Sequence, residues 1–117
     1  MILVAVRDLL FGSKIDSAAK RAGVQIEWAP RGAPLLETVT RQRPSLVVAD
    51  LNGAGIMNEL RTICAEFPST RVIGFLGHLQ AELMEEARSI GVTEVLTRGQ
   101  LAARLESVLR DNEPQGS

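Results

Sequence analysis

The stretch Leu46-Val47-Val48-Ala49-Asp50-Leu51-Asn52-Gly53 decides the fold. Four apolar residues run without a polar break into an aspartate, and a glycine follows within three positions. A run of this kind, entered at Pro44 and left at Asn52-Gly53, predicts a strand buried on both faces. Asp50 then stands at the carboxyl end of a central strand. In open α/β sheets, ligands and chemistry gather at that end.

Working outward, Ile2 to Val6 is a second continuous apolar run and hence a second buried strand, ending at Arg7-Asp8. Phe11, Ile15, Ala18, Ala19 and Ala22 recur at helical spacing. Ser13 with Asp16 three positions later resembles a capping box and sets the expected start of the regular helix there. Gly23 stops it in the manner of a C′ glycine. Val24 to Trp28 alternates, which predicts a strand near the sheet edge. Pro30-Arg31-Gly32 is a loop, Pro34 suits the first turn of a helix, and Leu35, Leu36 and Val39 give that helix a narrow apolar stripe.

Beyond the deciding stretch, Ile56, Met57, Leu60, Ile63, Cys64 and Phe67 form one helical face that Pro68-Ser69 ends. Arg71 to Leu76 is the fourth strand, with Gly77-His78 at its exit. Leu79, Leu83, Met84, Ala87 and Ile90 make the next helical face, closed by Gly91. Val92 to Leu96 is a fifth, shorter strand ending at Thr97-Arg98-Gly99. Leu101, Ala102, Leu105, Val108 and Leu109 form the last stripe. Residues 111–117 are polar with Pro and Gly, and read as a disordered tail. The pattern βαβαβαβαβα, with short right-handed crossovers, predicts a single α/β domain over residues 1–110. Because strands one, three and four are the most apolar, the parallel sheet takes the order 2-1-3-4-5, with helices on both faces.

Composition bounds the function. A length of 117 residues suffices for one core, and a net charge of −1 gives no basic excess to drive binding to nucleic acid or to anionic lipid. The single cysteine, Cys64, excludes an internal disulfide and a cysteine-rich metal cluster, and a place on an apolar helical stripe makes it core. The amino terminus opens directly on a strand and does not read as a signal peptide. No apolar run approaches the ~20 residues of a membrane span. The four aromatic residues, Phe11, Trp28, Phe67 and Phe75, are too few for a single-strand stacking platform. No nucleophile elbow, HExxH motif or paired His-Cys set is present, so enzymatic catalysis is not expected.

The strand exits collect Arg7, Asp8, Asp50, Asn52, Gly53, Gly77, His78, Thr97 and Arg98 on one rim. Over residues 1–110 this pattern resembles the receiver domains of bacterial two-component response regulators, a CheY-like family with a flavodoxin-like three-layer sandwich fold. The resemblance places Asp50 at the phosphoacceptor position, and Gly91 matches the glycine after the fourth helix. It also exposes departures. Val6 and Arg7 stand where the family carries two metal-binding acids, Leu76 where it carries Thr or Ser, and Arg98 where it carries Lys. Asp8 matches the next, often acidic, position. A Mg²⁺ ion would find only Asp50 and Asp8 as carboxylate ligands. Arg98 supplies a planar fork in place of a compact point charge. The loop after Asp50 is also shorter than is usual in the family.

Two functions compete. The resemblance implies a stand-alone cytoplasmic receiver-like domain in a phosphorelay, or a pseudo-receiver of fixed conformation. Its protein partner, a kinase or an output protein, would engage the face of residues 79–110, and the same face could carry a homodimer. Arg98 or Arg7 could pair with Asp50, and Asp50 could instead cap the following helix. The other reading is a flavodoxin-like module that holds a small anionic ligand or nucleotide. Its candidate contacts are the Asn52-Gly53 and Gly77 turns with Arg7, His78, Thr97 and Arg98. The bland readings of these residues are turns and hydrogen-bonded loop groups, and Glu82, Glu85 and Glu86 read as a solvated face. The chain lacks both common nucleotide-binding glycine motifs.

Overall fold

A computed structural model describes residues 1–77 and 80–112. Five strands alternate with five helices: β1 Ile2–Ala5, α1 Leu9–Ala22, β2 Ile26–Trp28, α2 Leu35–Gln42, β3 Leu46–Asp50, α3 Ile56–Glu66, β4 Arg71–Leu76, α4 Ala81–Ser89, β5 Glu94–Thr97 and α5 Arg98–Asp111. The strands form one parallel sheet in the order β2-β1-β3-β4-β5. This is the order that strand apolarity predicts.

The two-residue period of each strand divides the core into two layers. Ile2, Val4, Leu46, Val48, Ile73 and Phe75 face α1 and α5, where Phe11, Ile15, Leu101, Leu105 and Leu109 meet them. Leu3, Val47, Ala49, Val72, Leu76 and Val95 face the opposite way, onto Leu35, Val39, Leu60, Ile63 and Ala87 of α2, α3 and α4. Leu46, Val47, Ile73 and Leu76 are fully buried. At about 1.5–3 kcal/mol for each large aliphatic side chain removed from water, these layers hold the sheet.

Gly74 marks the tightest packing. A Cβ there would lie 2.6 Å from Leu51 Cδ2. The missing side chain lets Leu51, the residue after Asp50, lie across β4 and fix the direction in which the chain leaves β3.

Several boundaries differ from the sequence reading. Helix α1 starts at Leu9 rather than at Ser13, because Asp8 Oδ1 accepts hydrogen bonds from the amides of Leu10 (2.9 Å) and Phe11 (3.2 Å). A carboxylate ahead of the first turn satisfies the free amides directly. Asp16 meanwhile pairs with Lys20 one turn on. Pro34 is the residue before α2 rather than its first helical residue. β2 starts two residues later than expected and ends at Trp28 as expected, and β5 is shifted toward the rim to Glu94–Thr97. Residues 111 and 112, expected in a tail, close α5: Asn112 Nδ2 donates to Val108 O, and Ser45 Oγ donates to Asn112 O. Gly23 (φ 69°) and Gly91 (φ 105°) end α1 and α4 with left-handed backbone, as the sequence implies. Leu79, His78 and residues 113–117 lie outside the described residues.

Candidate functional site

The carboxyl ends of the strands form one rim, and the register shows how its members align. Asp50 pairs with Phe75 across β3 and β4, and Leu76 pairs with Thr97 across β4 and β5. Asp50 is half-buried. Its Oδ1 accepts from the amide of Asn52 at 2.9 Å, and its carbonyl accepts from the amide of Gly53 at 3.1 Å. This is a tight Asx-type turn. A Cβ on Gly53 would come 3.2 Å from the Asp50 carbonyl oxygen, so the turn is built for glycine. Asn52 Nδ2 reaches Gln80 Oε1 at 3.0 Å, tying the loop after β3 to the start of α4.

Arg98 does not hold Asp50. Its Nη1 lies 3.0 Å from Asp8 Oδ2, and among the described residues no ion pair joins Asp50 to a basic group. The pairing of Asp50 with Arg98 or Arg7 offered by sequence is therefore replaced by a turn hydrogen bond. Two neighbours draw Arg98 away. Asp8 is already fixed at the head of α1, and the Arg98 guanidinium stacks over Phe11 (5.5 Å to the ring centroid) and Phe75 (6.0 Å). The two rings are themselves 4.9 Å apart. Arg98 Nε is buried with no hydrogen-bond partner among the described residues.

Thr97 is a helix cap rather than an anion contact. Its Oγ1 accepts from the Gln100 amide (3.1 Å) while Gln100 Oε1 accepts from the Thr97 amide (2.9 Å). Thr97-x-x-Gln100 is a readable capping-box signature, so this role was available from sequence. Leu76 is fully buried among the α2–α4 layer. Gly77 is exposed, with open space about its Cα. Of the described rim, Arg7, Asp8, Asp50, Asn52 and Gly53 share one cleft, while Thr97 and Arg98 sit beyond its wall.

That cleft has a volume of about 830 Å³ and opens between α1, the β2–α2 loop and the start of α3. Among the lining residues that sequence reasoning missed are Arg31, Trp28 and Glu59. Trp28 stands at the end of the edge strand with its ring against Gly12, where a Cβ would lie 3.2 Å from Cη2. Glu59 reaches from α3 to cap α2, its Oε1 accepting from the Leu36 amide at 3.0 Å. Neither contact carries a local sequence signal, since each joins distant segments.

As a metal site the donors fit poorly. Asp8 has one oxygen on two helix amides and the other on Arg98. Among the described residues no three His, Cys, Asp or Glu side chains gather as a metal centre. No described helix is long and apolar enough to cross a membrane. Burial pushes the pKa of the Cys64 thiol up.

No protein-family model matches the chain, and no curated protein matches it in sequence. Solved structures do match. The receiver domain of NtrX from Brucella abortus superposes with a TM-score of 0.80 at 21% identity, over 96% of this chain and 97% of that one. Chemotaxis response regulator CheY4 of Vibrio cholerae gives 0.78 at 16% identity, over 94% and 95%. An orphan response regulator of Helicobacter pylori, HP1043, gives 0.75 at 16%, over 93% and 95%. Layering, strand order and the position of the rim together give this chain the fold of a response-regulator receiver domain.

Proposed function

We propose that the chain is a receiver-type signalling domain of fixed conformation, a pseudo-receiver, that works in the cytoplasm by presenting a surface to a protein partner. The observation that carries this reading is the Asp8–Arg98 pair. Phosphoryl transfer to a carboxylate needs a cation to neutralise the phosphoryl oxygens, a donor to hold one of them, and a mobile counter-charge. Asp50 stands at the position of the acceptor. The groups that would serve it are otherwise engaged. Asp8, the second Mg²⁺ ligand in this reading, is held by Arg98 and by the head of α1. Leu76 fills with carbon the place of the hydroxyl. Arg98 is stacked on two rings and paired elsewhere. The α5 start therefore has one resting arrangement and no phosphoryl group to answer.

The partner, an output protein or a kinase, would meet the α4–β5–α5 face, within residues 80–110. The test is a two-dimensional amide spectrum of the protein with and without beryllofluoride and Mg²⁺. The reading expects no shifts at Asp50, Asn52 or Arg98. Saturable shifts there that spread to β5 and α5 would establish a working switch and overturn it.

A further inference from the structure

The cleft beside Asp50 carries charge in an uneven way. Four acids line it, Asp8, Asp16, Asp50 and Glu59, and each already has a donor. Asp8 holds two amides and Arg98; Asp16 holds Lys20 at 3.1 Å; Asp50 holds the Asn52 amide; Glu59 holds the Leu36 amide. Two arginines line it as well, Arg7 and Arg31. Both are exposed, and among the described residues no ion pair or side-chain hydrogen bond engages either. The charged groups of this cleft left without a partner, among the described residues, are cationic.

The apolar side is equally uneven. Among the described residues, the large hydrophobic side chains left in water are Leu9 (78% exposed), Leu10 (81%) and Trp28 (44%), and Leu9 and Trp28 line the cleft. Gly12 seats Cη2 and Cζ3 of the indole on α1, and the partly exposed ring lines the cavity. A volume of about 830 Å³ lies within the range of small-molecule sites, which pair apolar walls with a few placed polar groups.

We propose that this cleft binds a small organic anion bearing a flat aromatic ring, with the ring on Trp28 and the anionic group between Arg7 and Arg31. The ring gains stacking and apolar burial. The anion gains charge-assisted hydrogen bonds from two forks that have no other acceptor among the described residues. This proposal goes beyond the pseudo-receiver reading and does not depend on it, since phosphoryl transfer at Asp50 can succeed or fail without changing Trp28, Arg7 or Arg31.

Trp28 is the sole tryptophan, so its fluorescence reports on this cleft alone. The experiment titrates the full chain with adenosine monophosphate, adenosine and inorganic phosphate. The variants are Arg7→Ala/Arg31→Ala and, as a control away from the cleft, Arg41→Ala. The proposal expects saturable quenching by the monophosphate, with adenosine at least about tenfold weaker. The double variant, its fold checked by circular dichroism, should bind the monophosphate no better than adenosine, and Arg41→Ala should bind as the parent does. Absence of saturable quenching by the monophosphate overturns the proposal. So does equal binding of the monophosphate and adenosine, or a double variant that binds like the parent.

Discussion

The two halves of the rim differ in how their side chains are used. On the β4–β5 side the described side chains are used by the fold: Thr97 and Gln100 cap each other, and Arg98 binds Asp8 and two aromatic rings. Beneath them Leu76 is sealed in the core. On the β1–β2 side an open cleft leaves Arg7, Arg31 and the Trp28 ring in water. One sheet edge thus carries a closed half that holds the fold together and an open half with groups to spare. The lesson is that position at a strand end marks a candidate, and only the partners of each side chain separate architecture from recognition.

Substitutions should break this contrast in order of size. Leu76→Thr shortens a fully buried side chain and buries an oxygen. We expect a loss of about 2–4 kcal/mol in urea unfolding. Next is Gly74→Ala, whose Cβ would meet Leu51 at 2.6 Å. Leu51 must move, at a cost of about 1–3 kcal/mol. A neutral result there would mean that Leu51 packs more loosely than described.

Asp8→Ala removes the α1 cap and frees Arg98. The cap contributes about 0.5–2 kcal/mol. The partly exposed ion pair adds only roughly 0–1 kcal/mol. Asp8→Asn keeps an N-cap acceptor, so its difference from the parent isolates the ion pair and its difference from Asp8→Ala isolates the cap. On the open side, Arg7→Ala and Arg31→Ala should each stay within about ±0.5 kcal/mol of the parent. A large loss from either would move that arginine into the architectural half and weaken the contrast.

The smallest effect concerns Cys64. Burial raises its thiol pKa above the ordinary 9.0, so the thiol stays protonated in the folded chain at pH values where it ionises in the unfolded one. The unfolded state then binds fewer protons, and stability falls as pH rises past about 9 toward the folded value. Below that range the term has its full value. Cys64→Ala should remove this alkaline slope, and alkylation at pH 8 should be slower in the folded protein than in urea.

Much of the fold was legible because burial writes itself into consecutive residues. Leu46 to Ala49 is apolar on both faces, and the strand order follows from comparing such runs. The head of α1 was legible in principle but misread: Ser13 and Asp16 offered a capping box, while the carboxylate of Asp8, directly ahead of the apolar stripe, took the amides. Thr97-x-x-Gln100 was likewise visible as a cap. The site was less legible, because its contacts join distant segments. Nothing local says that Arg98 turns to Asp8 rather than Asp50, that Glu59 caps α2, or that Trp28 leans on Gly12. Those choices arise when several partners compete for one side chain in the folded molecule.

The central claim is that the closed half leaves Asp50 without the groups that phosphoryl transfer requires. Intact mass of the purified protein after incubation with acetyl phosphate and Mg²⁺ tests it most directly, with Asp50→Ala alongside. The account expects no gain in mass in either protein. Gain of one phosphoryl group by the parent that is absent from Asp50→Ala would contradict it.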